Sequence, residues 1–369
     1  MSQTSLADFF SPDYATARRR FREAATRRGW KLSAYPIAEL GPAGEELTID
    51  VAVLPGSSGE QALVVSGGVH GVEGFFGSAV QLSLLERERL IDTDLANIRV
   101  VLIHGFNPYG FAWLRRTNEN NVDLNRNFHR DSADFVGAPP AYAQLDSLLN
   151  PSGAPRRWEL FPLKLAPAVL RHGFDGLRRI IVEGQHEFPQ GLFFGGSEPQ
   201  LSRTIFAEHL DQWLGGASDV AHLDLHTGLG RWGECQLLCD YLPSPLQRRR
   251  LQRAYGAVGV DLLDAEHLPY LPRGGFGAWC AARPNRNYLY ACAEFGTYSG
   301  YQMLCGMRRE NQLHRFASDA PVTHPVKRRI KELYCPSSIE WRRRTVECAG
   351  RLVDGAVRML AELGDEGAR

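Results

Sequence analysis

A buried strand that turns sharply into a helix is predicted around residue 68. Residues 63–65 form a short apolar run, glycines follow at positions 67, 68 and 71, and residues 75–90 carry apolar side chains at helical spacing. The apolar run before a glycine-rich turn is typical of a strand, and the period that follows it is typical of a helix. This unit restricts the chain to folds in which helices cover a sheet.

Strand-like and helix-like runs continue to alternate along the chain, which predicts an α/β fold. Further strands are predicted at residues 31–34, 47–54, 98–103, 179–182, 221–225 and 288–293, and helices at 13–28 and 203–214. We expect a mixed, largely parallel twisted sheet with helices on both faces.

The whole chain, residues 1–369, is predicted to form a single domain. Residues 128–177 are rich in proline and are expected to be an insertion of loops and short helices. Helices are predicted from residue 299 onward, the last of them amphipathic at about 337–363, where it would pack against the sheet.

The charge balance excludes two classes of partner. Lys and Arg together number 42, as do Asp and Glu, so no net field attracts nucleic acid or an anionic membrane. No stretch is long enough for a membrane span, and residues 1–10 do not resemble a secretory signal.

The seven cysteines include no CxxC pair, which favours free thiols in a reducing compartment, so a cytoplasmic location is expected.

Predicted strands lead into polar residues suited to catalysis: His70, Asn107, His226 and Glu294. In open α/β sheets, sites form outside the carboxyl ends of the strands, so we expect these residues in one cleft. His70 and Glu73 are three positions apart at a helix start and could bind one cation, although this spacing alone is also typical of solvated residues.

Five motifs follow one another in the order of a known family: HGVE at 70–73, NPYG at 107–110, RRTNENNVDLNRNF at 115–128, DLHTG at 224–228 and AEFG at 293–296. With these motifs the chain resembles the zinc carboxypeptidases of family M14, and specifically their bacterial branch described as DUF2817. The DLNRNF sequence behind HxxE is more specific than either motif alone. The resemblance extends from the first predicted strand to Tyr301.

The resemblance implies one zinc ion per chain, held by His70, Glu73 and His226. Two imidazoles and one carboxylate leave an open coordination position, which is typical of a catalytic site. Glu294 matches the family's general base, which takes a proton from the attacking water and passes it to the leaving amine.

The resemblance also implies residues that bind the substrate. Arg115 matches the arginine that stabilises the oxyanion, and the adjacent Arg116 is the alternative. Asn125 and Arg126 match the pair that binds the terminal carboxylate of a carboxypeptidase substrate. The structural alternative for Arg126 is that it fixes the backbone of its loop.

Several polar residues have more than one possible role. Asp224 could orient His226 or be an ordinary hydrogen-bonded carboxylate. Four tyrosines are possible counterparts of the family's substrate-facing phenol: Tyr241, Tyr270, Tyr288 and Tyr298. The HGVE sequence lacks the arginine that digestive carboxypeptidases carry before the glutamate, so a substrate contact of those enzymes is missing.

The leading hypothesis is a zinc-dependent, carboxypeptidase-like metallopeptidase that hydrolyses a C–N amide bond of a peptide. The first alternative is an N-acyl amino acid amidohydrolase resembling succinylglutamate desuccinylase and aspartoacylase. The second is a catalytically inactive binding module. The expected partner is a small peptide or an acyl amino acid, while the substrate side chain, exo- or endo-cleavage and the oligomeric state stay open.

Overall fold

The computed structural model describes residues 5–54, 59–87, 98–156, 159–256, 259–268 and 270–367. The strands in these ranges are β1 (Lys31–Leu40), β2 (Glu46–Val53), β3 (Gln61–Gly67), β4 (Ile98–His104), β5 (Asp219–Gly228), β6 (Cys235–Leu238), β7 (Leu262–Leu263) and β8 (Asn287–Gly296). The helices are α1 (Tyr14–Arg27), α2 (Gly74–Glu86), α3 (Pro108–Ala112), α4 (Tyr142–Leu149), α5 (Phe161–Val182), α6 (Leu201–Leu214), α7 (Pro245–Gly256), α8 (Phe276–Ala281), α9 (Gly300–Phe316), α10 (Pro325–Tyr334) and α11 (Ile339–Gly367).

All of these strands belong to one sheet, in the order β1-β2-β4-β3-β5-β8-β6-β7. The central strands β4, β3, β5 and β8 are parallel neighbours, and β6 is parallel to β7. The pairs β1/β2, β2/β4 and β6/β8 are antiparallel. The predicted α/β fold class, a mixed and largely parallel sheet with helices, is confirmed.

The side chains of β3 alternate between two cores, one on each face of the sheet. Leu63 and Val65 belong to a cluster that includes α2 and α11, whereas Ala62 and Val64 belong to a cluster that includes α6 and α8. Successive residues of a strand point to opposite faces, so a strand that is covered on both faces is apolar throughout. This explains the continuous apolar run that predicted β3.

The strand predicted at residues 179–182 is wrong, because these residues form the end of helix α5. Leu177 and Ile181 are buried while Arg178 and Arg179 are exposed, which is the pattern of a helix with one buried face. A short apolar run cannot be assigned to a strand or a helix by periodicity alone.

The segment near 128–177, predicted as an insertion, contains more helix than expected. Helices α4 and α5 occupy much of it, and the backbone of α5 breaks at Gly173, where φ is 67°. The helix predicted at 75–90 corresponds to α2, which ends at Glu86. Residues 88–90 of that prediction lie outside the described residues. Among the helices that the structure describes, none is long and apolar enough to cross a membrane.

Candidate metal centre

The carboxyl ends of the central parallel strands meet at one edge of the sheet. His70 follows β3, Asn107 follows β4, and His226 and Glu294 lie near the ends of β5 and β8. His226 is paired with Glu294 in the register of these two strands. The residues predicted to share a cleft therefore lie at the same edge.

Asn107 has a structural function at this edge. Its Oδ1 atom accepts a hydrogen bond from the backbone N–H of Gly110 at 2.8 Å and so caps helix α3. Its Nδ2 atom donates to the backbone oxygen of Arg116 at 3.3 Å. Asn107 therefore fixes the loop that carries Arg116.

A close backbone approach supports the turn that carries two of the predicted ligands. The single 3₁₀ turn Gly71–Glu73 follows His70. A Cβ atom on Gly71 would lie 2.1 Å from the backbone of Gly110, so only glycine fits here. The Gly71 N–H donates to the backbone oxygen of Arg116 at 3.1 Å, which joins the turn to the arginine loop.

Three buried side chains converge at the edge of the sheet. The Nδ1 atom of His70 lies 2.9 Å from Oε1 of Glu73, and Nδ1 of His226 lies 3.1 Å from Oε2 of the same carboxylate. The two Nδ1 atoms are 3.2 Å apart. Two imidazoles and one carboxylate at these separations could contact one cation, and they are ligand types that zinc prefers.

Each of the two imidazoles is held from its other side by a buried carboxylate. Nε2 of His70 lies 3.2 Å from Oδ1 of Asp123, and Nε2 of His226 lies 2.5 Å from Oδ2 of Asp224. Carboxylates in this position fix the tautomer and the orientation of metal-binding histidines. With Nε2 donating to the carboxylate, the Nδ1 lone pair of each ring is left for a metal ion.

Asp123 contacts His70 and Arg116, and the sequence reasoning did not single it out. The available signal was its place in the DLNRNF sequence, the most specific motif of the chain. Asp224, whose role the sequence left open, is fixed by further hydrogen bonds from Ser66 Oγ at 2.5 Å and from the hydroxyl of Tyr290 at 3.0 Å.

The buried charges of the cluster favour a divalent cation. Burial alone would raise the pKa of Glu73, but the neighbouring imidazoles lower it to about 2. Burial likewise opposes ionisation of Asp123 and Asp224, yet adjacent positive groups hold the pKa of both carboxyls below their usual range. Burial lowers the pKa of His226, but the carboxylates of Asp224 and Glu73 raise it well above its usual value, so this ring carries a proton when no metal is bound. If a metal ion displaced that proton, the three carboxylates and the guanidinium of Arg116 would leave two negative charges, which a divalent ion would neutralise.

Glu294 lies beside this cluster. Its Oε1 atom accepts a hydrogen bond from the backbone N–H of Leu229 at 2.8 Å. Burial, followed by the negative charge of Glu73, raises the pKa of Glu294 to about 7. A carboxyl group with a pKa near neutrality can both take up and release a proton, as a general base requires.

A second group of potential ligands combines Cys292 with His226 and Glu294. Burial, followed by the charge of Glu294, raises the pKa of the Cys292 thiol well above its usual value. Because cysteine binds metals as a thiolate, this group is a poorer cation site than the one formed by His70, Glu73 and His226.

Arg116 contacts the cluster, and Arg115 belongs to a different group of charges. The Nε and Nη2 atoms of Arg116 donate to Oδ2 of Asp123 at 3.2 and 3.0 Å, and its Nη1 lies 3.7 Å from Oε1 of Glu73. Arg115 donates from Nε to Oε1 of Glu310 at 3.0 Å. Of the two adjacent arginines, Arg116 is thus the one placed beside the predicted ligands.

Arg126 is buried, and its guanidinium binds backbone oxygens. It donates from Nε and Nη2 to the oxygen of Val182 at 3.2 and 2.6 Å and from Nη1 to the oxygen of Asn125 at 2.9 Å. The side chain of Asn125 accepts a hydrogen bond from the N–H of Phe276 at 3.2 Å. Three of the five guanidinium N–H groups take part in these bonds, so binding of a carboxylate would depend on the other two.

Three of the four candidate tyrosines have their hydroxyl groups hydrogen-bonded within the protein. The pairs are Tyr241 with the Tyr290 backbone, Tyr288 with His222, and Tyr298 with Glu332. The ring of Tyr270 lies 5.8 Å from the guanidinium carbon of Arg126. Tyr334, which the sequence reasoning did not consider, is buried and close enough to Arg116 to affect the pKa of its guanidinium.

Comparisons with known proteins show the family and the fold of the chain. The family described as "Protein of unknown function (DUF2817)" matches residues 10–348. A search of curated protein sequences gave no match.

Similar solved structures include thrombin activatable fibrinolysis inhibitor, with a TM-score of 0.54, 11% identity, and coverage of 98% of this chain and 78% of that chain. Carboxypeptidase A from Helicoverpa armigera has a TM-score of 0.51 and 12% identity, covering 97% of this chain and 77% of that chain. The bovine inhibitor, solved with tick carboxypeptidase inhibitor, has a TM-score of 0.52 and 11% identity, covering 96% of this chain and 97% of that chain. At these identities the similarity shows a shared fold.

Proposed function

The chain belongs to the DUF2817 family and has the fold of the M14 carboxypeptidases, and from this premise we propose that it is a zinc-dependent hydrolase of a C–N amide bond in a peptide. One observation carries the proposal. The Nδ1 atoms of His70 and His226 and the carboxylate of Glu73 converge within a few ångströms, with Glu294 beside them.

A zinc ion would be held by His70, Glu73 and His226, and when bound it would supply Lewis acidity to a water molecule and to the scissile carbonyl. The donor set fits such an ion, because it combines neutral nitrogen ligands with a carboxylate. The carboxylates of Asp123 and Asp224 keep both imidazoles in the orientation that binding requires.

Glu294 would move the proton of the reaction. Its carboxylate would accept a proton from the attacking water and deliver it to the leaving nitrogen. The hydrogen bond from Leu229 N–H holds Oε1, and Oε2, which has only a long contact of 4.0 Å from the Cys292 thiol, would take this proton.

Arg116 would stabilise the negative charge that develops on the carbonyl oxygen. Its guanidinium is fixed by Asp123, contacts Glu73, and keeps its side chain 16% exposed at the site. A preorganised cation next to the reacting bond lowers the energy of the transition state. This geometry favours Arg116 over Arg115 for the role, and binding of a terminal carboxylate by Asn125 and Arg126 remains a prediction.

An activity screen of metal-loaded protein tests the proposal. The panel would contain dipeptides, N-acyl amino acids and cell-wall peptides, each assayed with zinc and after removal of the metal by a chelator. Metal-dependent release of an amine from a peptide supports the proposal. Turnover of N-acyl amino acids alone would favour the amidohydrolase alternative, which uses the same residues, and binding without turnover would favour an inactive module.

A further inference from the structure

A row of buried polar side chains lies behind the candidate ligand His226. His222, Asp224 and His226 are at alternate positions of β5, so their side chains leave the strand on the same face of the sheet. On the neighbouring strand β3, Ser66 is paired in register with Asp224. The side chains of Ser66, His222 and Asp224 are fully buried. The candidate ligand is therefore the last member of a row that extends into the core.

A continuous chain of hydrogen bonds joins the members of this row. The hydroxyl of Tyr288 lies 3.0 Å from Nδ1 of His222, and Nε2 of His222 lies 2.7 Å from Oγ of Ser66. Ser66 Oγ donates to Oδ1 of Asp224 at 2.5 Å, and Oδ2 of Asp224 lies 2.5 Å from Nε2 of His226. His222 is thus connected to the candidate ligand through two intervening side chains.

The number of protons sets the direction of every bond in this chain. The ionised carboxylate of Asp224 can only accept, so the single hydroxyl proton of Ser66 is used in the bond to Asp224. Oγ of Ser66 must then accept from Nε2–H of His222. Burial lowers the pKa of His222 to about 4, so the ring is neutral and its Nδ1 accepts the proton of Tyr288. All the donors therefore point toward Asp224.

The surroundings of His222 are those of an apolar core position. Its ring packs against the rings of Phe206, Phe276 and Tyr290, with centroid distances of 6.4, 5.5 and 5.1 Å. An apolar side chain would fill this position without the cost of burying an imidazole. The property that it would lack is a donor for Ser66.

We propose that His222 is a positioning residue for the metal ligand His226, acting through Ser66 and Asp224. The proposal rests on the proposed function, since it concerns the same centre. By donating to Oγ, His222 leaves Ser66 its proton for Asp224 alone. That bond fixes the plane of the carboxylate, so Oδ2 stays directed at Nε2 of His226. Hydrogen bonds in a chain polarise one another, which extends the effect of His222 beyond its direct contact.

Two substitutions of His222 differ in the donor that they offer to Ser66. The amide nitrogen of Gln can occupy the position of Nε2, whereas the shorter side chain of Asn ends near the position of Nδ1. We expect the zinc dissociation constant of His222→Asn to rise by about tenfold in a competition titration with a chelator, the lower end of the effect of losing a group that orients a ligand. His222→Gln should bind zinc as wild type does. A role in packing alone predicts no difference in zinc affinity between the two variants.

His104 is the matched control. It is fully buried at the end of β4, and its Nε2 lies 3.0 Å from Oγ of Ser78, so it forms the same kind of histidine–serine pair. Its Nδ1 atom has no hydrogen-bond partner in the part of the chain that the structure describes. His104→Asn should therefore lower the melting temperature and leave zinc affinity unchanged. Equal loss of zinc affinity in His104→Asn and His222→Asn would show a general effect of core damage and would overturn the proposal.

A double-mutant cycle tests the path from His222 to the ligand. Ser66→Ala should weaken zinc binding by itself. If His222 acts through Ser66, the addition of His222→Asn to Ser66→Ala should cause little further loss, because the path is already broken. Additive losses would mean that His222 affects the metal by another path, and would overturn the proposal.

Nitrogen NMR of the histidine rings tests the direction of the chain in wild-type protein. The nitrogen chemical shifts distinguish a neutral ring protonated on Nε2 from one protonated on Nδ1. We expect the Nε2–H form for His222, since Ser66 needs this donor. The Nδ1–H form would overturn the proposal, whether or not the His222 variants fold.

The proton on Nε2 of His226 separates failure of this inference from failure of the proposed function. In metal-free protein its resonance reports the hydrogen bond to Asp224, and His222→Asn should shift it while His104→Asn should not. If wild-type protein binds no zinc, the proposed function fails, yet a shift confined to His222→Asn would still support the inference. An unshifted resonance in folded His222→Asn would overturn it, even in an active zinc enzyme.

Discussion

His226 and Glu294 lie opposite each other on the parallel strands β5 and β8, paired in register. One is a predicted metal ligand and the other the predicted general base, so their relative position is set by the hydrogen-bonded ladder of the sheet. Sites built on strands are held more precisely than sites on loops. The turn that carries His70 and Glu73 lies outside this ladder. The close packing of Gly71 against the backbone of Gly110 positions that turn.

The first prediction concerns metal content. We expect purified protein to contain about one equivalent of zinc, because one group of buried ligands combines suitable donors with a surplus of negative charge. The double variant His70→Ala/His226→Ala should lose this metal, as measured by elemental analysis. Retention of one equivalent by a folded double variant would contradict the assignment.

Replacement of Glu294 by Gln should separate metal binding from catalysis. The amide preserves the shape and the acceptor for the Leu229 N–H, but it cannot take up a proton. We expect the variant to keep its zinc and its melting temperature while kcat falls by roughly 10²–10⁴-fold. A zinc-loaded Glu294→Gln enzyme with normal kcat would show that another group accepts the proton.

The hydrogen bond between Asp224 and His226 predicts a role for Asp224 in metal affinity. Asp224→Asn keeps an acceptor for the imidazole N–H but removes the charge, and zinc affinity should fall by roughly 10–100-fold in a competition titration with a chelator. Asp219→Asn makes the same substitution at the start of the same strand and is the control. If both variants bind zinc equally well, Asp224 is only a structural carboxylate.

The central strands could be predicted from local sequence because their signals are local, whereas the candidate ligand set was implied by the order of the motifs. The apolar run of β3 reflects burial on both faces of the sheet, and the HxxE spacing lies within one turn. The prediction of a strand at 179–182 was wrong because a local signal of four residues is too short for its period to separate a strand from a helix.

The parts of the site that could not be predicted depend on contacts between distant segments. Asp123 and His70 are 53 positions apart, and although both lie in motifs, neither motif indicates which residue of the other it contacts. The proposed choice between Arg115 and Arg116 depends on the direction in which each side chain leaves the loop. Arg115 points to Glu310 on α9, and Arg116 points to Asp123. Composition and spacing contain no information on such pairings.

Removal of the Arg116 guanidinium should lower kcat with little effect on substrate binding. In Arg116→Gln we expect kcat to fall on every substrate by roughly 10²–10³-fold, the usual effect of losing a group that stabilises the oxyanion. Metal content must be measured alongside, because Asp123 loses its partner. Unchanged kcat in a zinc-loaded Arg116→Gln enzyme, together with a general loss in Arg115→Gln, would reverse the assignment of the two arginines.

The last prediction concerns the end of the substrate. If Asn125 and Arg126 bind a terminal carboxylate, a substrate with a free carboxylate should be hydrolysed at least a hundredfold faster than its C-terminally amidated form. An uncharged amide would leave the buried guanidinium without an anionic partner, which typically costs a few kcal/mol. The measurement is kcat/KM for the two forms of one peptide.

Because Arg126 also binds the backbone oxygens of Val182 and Asn125, Arg126→Ala could lose activity through loss of structure. Arg126→Lys is the sharper variant, since it keeps the charge but not the planar fork that binds a carboxylate through two bonds. A substrate role predicts a smaller ratio between free acid and amide in Arg126→Lys at an unchanged melting temperature. Equal rates on the two forms with wild-type protein would mean that Arg126 only fixes its loop, and would favour an amidase that cleaves within a chain.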